Sequence, residues 1–92
     1  MKNPFDFEKS GKIILAYRDY QVEVNKTDPS SFGDDFDEKI SKAVSNKSKS
    51  VLNEGVRSIV STIKYVKGDP EYDVLVDFIS SRAGVPREKL VK

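Results

Sequence analysis

Between Asp35 and Lys67 the chain has no proline and a single glycine, Gly55. One long helix is therefore the first reading, and its apolar residues rule it out. At roughly 100° per residue, Phe36, Ile40, Ala43 and Val44 centre on one direction. Leu52, Val56, Ile59, Val60, Ile63 and Val66 centre about 150° away. A straight helix would carry these two stripes on nearly opposite sides. The chain must therefore turn near Asn46–Ser50, where the run NKSKS is poor in helix formers. This predicts one helix over 35–46 and a second over 50–66. Gly55 falls on the apolar face of the second, where a missing side chain allows close backbone approach.

The punctuation after that pair is clear. Lys67-Gly68-Asp69-Pro70 combines a helix stop, an N-cap residue and a proline suited to the first helical position. A third helix over 70–83 follows, carrying Tyr72, Val74, Leu75, Val76, Phe78 and Ile79. Its wide apolar arc predicts the most buried helix. Leu75, Phe78 and Ile79 are expected in the core with Ile59 and Ile63. Gly84 suits the C′ position, and Pro86 opens a short last helix over 86–91. Upstream, residues 26–34 (KTDPSSFGD) read as a loop. Asp35 stands three residues before Glu38, the spacing of a capping box.

Residues 12–25, KIILAYRDYQVEVN, are rich in β-branched and aromatic side chains. If the chain reverses at Arg18-Asp19, Tyr17 faces Tyr20, Leu15 faces Val22 and Ile13 faces Val24. The opposite face receives Ala16 with Gln21, Ile14 with Glu23 and Lys12 with Asn25, mostly polar. That is the pattern of an antiparallel hairpin buried on one face, although Arg-Asp lacks the glycine or asparagine of a tight primed turn. The expected fold is α+β: an N-terminal antiparallel β-hairpin packed on three helices, with a short C-terminal helix. The expected organisation is a single small domain over 1–92. It has a lead-in over 1–11, a hairpin over 12–25 and a helical part over 35–92. Phe5 and Phe7 of the lead-in are placed to pack back on it.

Composition removes most catalytic chemistry. With no cysteine and no histidine among 92 residues, there is no disulfide, no thiolate, no imidazole base and no zinc–thiolate site. Nothing in the spacing places a Ser–Lys pair or paired carboxylates. The expectation is a protein that is not an enzyme, with no catalytic residues, no cofactor and no metal ligands. No apolar run reaches the ~20 residues that span a bilayer. The start of the chain lacks the apolar stretch of a signal peptide, so a cytoplasmic protein without membrane contact is expected. The formal net charge of +1 argues neither for nor against nucleic acid.

Charge is nevertheless unevenly placed. From 39 to 67 there are seven cations (Lys39, Lys42, Lys47, Lys49, Arg57, Lys64, Lys67) and one anion, Glu54, with Ser41, Ser45, Ser48 and Ser50 among them. Lysines with hydroxyls suit phosphate contact, and an ordinary solvated helix face explains them as simply. Lys42, Lys47, Lys49 and Arg57 are the candidate contacts in this stretch. An acidic group, Asp34, Asp35, Asp37 and Glu38, precedes it. Negative charge at a helix start is favourable in itself, and a contact patch for a basic partner is the second reading. Tyr17, Tyr20, Tyr65 and Tyr72 complete the candidates, tyrosine being enriched at interfaces.

The C-terminal stretch LVDFISSRAGVPREKLVK resembles the helix-turn-helix of DNA-binding regulators. Ile79 and Ser80 match the apolar and small positions of the first helix, Ala83-Gly84-Val85 the turn, and Leu90 the apolar position of the second helix. The resemblance implies that Arg87, Glu88 and Lys89 lie on a recognition helix. A packing corner between two helices produces the same pattern. In general style, small Lys- and Ser-rich chains without cysteine or histidine resemble early regulatory proteins of phages and mobile elements.

The leading expectation is a non-enzymatic regulatory protein acting by protein–protein contact, as an inhibitor or adaptor. The alternative is a nucleic-acid-binding protein that uses segment 39–67 or the helix-turn-helix-like C-terminus, with Lys42, Lys47, Lys49, Arg57, Arg87 and Lys89 as contacts.

Overall fold

A computed structural model of the chain describes residues 6–91. Its elements in order are α1 (Phe7–Glu23), a 3-10 turn (Pro29–Phe32), α2 (Phe36–Ser45), α3 (Lys49–Tyr65), α4 (Pro70–Ala83) and the single turn α5 (Arg87–Leu90). The fold is all helical, with no strand among the described residues.

The expected hairpin is therefore overturned: residues 12–23 belong to α1. The reason lies in the spacing that suggested the hairpin. Mirrored about Arg18-Asp19, its apolar pairs stand three, seven and eleven residues apart, the same separations that stack side chains on one helical face. What decides is burial, which falls on Ser10, Gly11, Ile13, Ile14, Ala16 and Tyr20. Ile13 and Ile14 are adjacent and both buried, which no strand with one polar face allows. A capping residue upstream starts the helix: the Asp6 carboxylate accepts from the Lys9 backbone N–H at 2.9 Å. Phe7, its first residue, packs against the core; Phe5 lies outside the described residues.

α1 is also the central element, packed against α2, α3 and α4. The expectation that α4 is the most buried helix is corrected accordingly. α4 buries Leu75, Val76, Ile79 and Ala83, but Phe78 stays half-exposed, ringed by Tyr20 and Arg82. Ile59 and Ile63 are buried as expected. The domain is a slab of 37 × 36 × 19 Å, about two helices thick.

The turn between α2 and α3 falls where the opposed stripes required it, at Asn46–Ser48, with Lys47 in the left-handed region at φ 54°. Two glycines set how closely helices cross. A Cβ on Gly11 of α1 would lie 2.7 Å from Val44 Cγ2 of α2, and one on Gly55 of α3 would lie 2.7 Å from Ile14 Cδ1 of α1. The close approach expected at Gly55 is thus made to α1. Two expected caps differ. Asp35 and Asp69 occupy N-cap positions, but neither side chain bonds a helix N–H. Gly84 ends α4 in the left-handed conformation, as its position predicts.

Candidate contact surfaces

The charged side chains of α1 form a chain of ion pairs across three helices. Asp37 of α2 accepts from Arg18. Arg18 also bonds Asp19 at 2.9 Å, Asp19 accepts from Arg82 of α4 at 2.9 Å, and Arg82 reaches Glu23 at 3.2 Å. Arg18 lies over the Phe36 ring at 5.5 Å and Arg82 over Phe78 at 4.6 Å. These partners hold both guanidiniums further into the charged form, the hydrogen bond to Asp37 contributing most at Arg18 and that to Glu23 most at Arg82. Reading Arg18-Asp19 as a turn hid this network. One signal in the sequence was available: Asp19 and Glu23 are four apart, so a helix sets both on one face.

Tyr20 sits beneath the network, 1% exposed. Its hydroxyl donates to Glu71 of α4 at 3.2 Å, and its ring meets Phe78 edge-on at 5.7 Å. Burial, followed by the Glu71 carboxylate, pushes its ionisation up to about 12. Because the folded value is raised, the neutral phenol stabilises the fold fully below the unfolded value of about 10, and this contribution is lost as pH rises through the folded one. Tyr20→Phe is expected to flatten the loss of stability between about pH 10 and 12. Urea titrations of parent and variant across that range check it, and parallel curves would count against it.

The four tyrosines do not form one group. Tyr17 stacks near Tyr20 with centroids 6.5 Å apart, Tyr72 packs against the core, and Tyr65 stands 88% exposed at the end of α3. The acidic residues also separate. Asp37 is engaged by Arg18, whereas Asp34, Asp35 and Glu38 are exposed.

The candidate cations divide in the same way. Arg87 is held by two carboxylates of α4, Asp77 and, at 3.2 Å, Asp73, so it lies back across its own corner. Lys47 covers the Phe7 ring at 5.6 Å. Lys49 opens α3. Lys42, Arg57 and Lys89 are exposed or nearly so, and among the described residues they make no ion pair. The C-terminal corner itself is tightly packed. Ile79, Ala83, Val85 and Leu90 are buried, the Ser80 hydroxyl donates to the Val85 carbonyl, and Lys9 Nζ donates to the Gly84 carbonyl at 2.9 Å. α5 is one turn long, much less than the helix that fills a major groove.

Between α1 and α2 lies an open groove that sequence reasoning missed. Gly11, Leu15, Ile40 and Val44 form its apolar floor, and Glu8, Lys12, Ser41 and Ser45 its rim. At Gly11 the missing side chain lets Val44 of α2 pack directly on α1 at the groove floor. Sequence alone does not reveal it, because its floor is shared between two helices and exists only when α2 lies beside α1. A second depression runs along the outer face of α3, lined by the polar residues Ser50, Asn53, Glu54, Arg57, Ser58 and Ser61. Among the described residues no cluster of carboxylates could hold a metal ion, and no helix is long and apolar enough to cross a membrane. No family model matches the chain, and neither a curated protein nor a solved structure does.

Proposed function

We propose that this is a non-enzymatic cytoplasmic protein that works by binding another protein, as an inhibitor or adaptor, through the groove between α1 and α2. The observation that supports this is the groove's apolar floor of Gly11, Leu15, Ile40 and Val44, open to solvent and edged by Ser41 and Ser45 on α2 and by Glu8 and Lys12 on α1. A floor of that kind suits an amphipathic helix laying down its apolar face. Ser41 and Ser45 are exposed, so arginine at both positions overhangs the groove without touching the core. Tagged protein is expected to retain a partner from lysate after nuclease treatment, and S41R/S45R to lose it. Capture that nuclease abolishes, or that the double variant retains, contradicts the reading.

A second reading, nucleic-acid binding, has one observation in its favour. Among the described residues, Arg18, Arg82 and Arg87 are all held in ion pairs, whereas Lys42 and Arg57 of the basic segment are in none. Its signature is affinity for labelled DNA or RNA that falls steeply with salt. Lys42→Ala and Arg57→Ala together should reduce that slope by roughly two phosphate contacts.

A further inference from the structure

The outer face of α3 carries an arrangement of charge that is its own complement. Ser50, Glu54, Arg57, Ser61 and Tyr65 follow steps of four, three, four and four, so they share one stripe, directed away from the core residues Leu52, Ile59 and Ile63. Among the described residues, neither Glu54 nor Arg57 has an ion-pair partner. Read from either end, the centre of the stripe is serine, charge, charge, serine, with the sign of the charges exchanged on reversal. Tyr65, 88% exposed, leaves a whole aromatic ring in water at its end.

We propose that this face pairs with the same face of a second copy, antiparallel about a two-fold axis between Glu54 and Arg57. In that arrangement Glu54 meets the second copy's Arg57 and Arg57 meets its Glu54, two ion pairs from one symmetry operation. A parallel arrangement sets Glu54 against Glu54 and Arg57 against Arg57, so charge selects the orientation. Ser50, Ser58 and Ser61 are short enough to let the helix backbones approach. Each Tyr65 ring comes to lie over the turn that leads into the other copy's α3, burying area at both ends of the interface. At 17 residues α3 is about 25 Å long, so its single face falls below the ~800 Å² per partner of a stable complex. The dimer is accordingly weak and sensitive to salt. This surface is distinct from the α1/α2 groove and does not depend on it.

Sedimentation equilibrium at low salt, from ~10 μM to ~1 mM protein, covers the range of such weak contacts. The apparent mass is expected to rise from 10.4 kDa toward twice that value. E54R and R57E, both at exposed positions, should each weaken association about tenfold or more by setting like charges together. The equimolar mixture of the two variants restores opposite charges and should associate again, as should the exchanged double variant E54R/R57E. Tyr65→Ala should weaken association without moving the melting temperature. A parent that remains at 10.4 kDa throughout, or single variants that associate as well as the parent, would overturn the proposal.

Discussion

Tyr20→Ala is expected to destabilise the domain by about 3–5 kcal/mol, the usual range for truncating a buried aromatic. Small domains have only about 5–15 kcal/mol in total, so the variant should be largely unfolded at modest temperature. The side chain is 1% exposed and stands where α1 meets α4. Its removal leaves a cavity beside Phe78 and takes away the donor to Glu71. Tyr20→Phe keeps the ring and gives up only that hydrogen bond, at about 1 kcal/mol. Tyr65→Ala, at the most exposed aromatic position, should change stability by less than about 0.5 kcal/mol. Urea denaturation of the three variants checks the order, and a Tyr20→Ala cost below about 1 kcal/mol would remove Tyr20 from the core.

Ile14→Asp should be at least as damaging. Ile14 is 8% exposed and reaches into the space left by Gly55 of α3. An aspartate there must bury a carboxylate among apolar groups or force the helices apart, at several kcal/mol. The position is informative because the hairpin reading sets Ile14 on the polar side, opposite Glu23, where aspartate would stay in water and cost at most about 1 kcal/mol. Lys12→Asp, two residues away and exposed, is the control and should leave the fold intact. The spread of amide proton shifts in both variants decides: a collapsed spectrum for Ile14→Asp alone is expected, and a well-dispersed one contradicts the placement.

The helical half of the fold was largely legible because its punctuation is chemical. Pro70 and Gly84 bound α4 at the predicted residues, and the opposed stripes located the turn after α2. α1 was not legible from its mirrored pairs, since separations of three, seven and eleven satisfy a hairpin and a helix alike. β-branched and aromatic content then tipped the reading toward strands. Tertiary packing overrides that preference: Gly11 and Gly55 let α2 and α3 close on α1, with Ile14 against Gly55, and α4 covers Tyr20.

The candidate surfaces were legible as charge but not as pairing. Arg87 could be read as a free cation because Asp73 and Asp77 come beside it only once α5 folds back along α4. Asp37 belonged to an acidic run in the sequence and to an ion pair with Arg18 in the fold. The α1/α2 groove needs both helices in place before its floor exists. The stripe on α3, by contrast, follows from the sequence once residues 49–65 are known to be a helix, and it lies in the order of the charges rather than in their number.

The core and the α1/α2 groove both depend on α1 being the helix at the centre of the domain. Backbone carbon chemical shifts of the labelled protein measure this residue by residue. Seventeen consecutive helical shifts from Phe7 to Glu23 are expected, with a proton contact between the Tyr20 ring and Glu71. Strand-like shifts over residues 12–25, interrupted at Arg18-Asp19, would contradict the account.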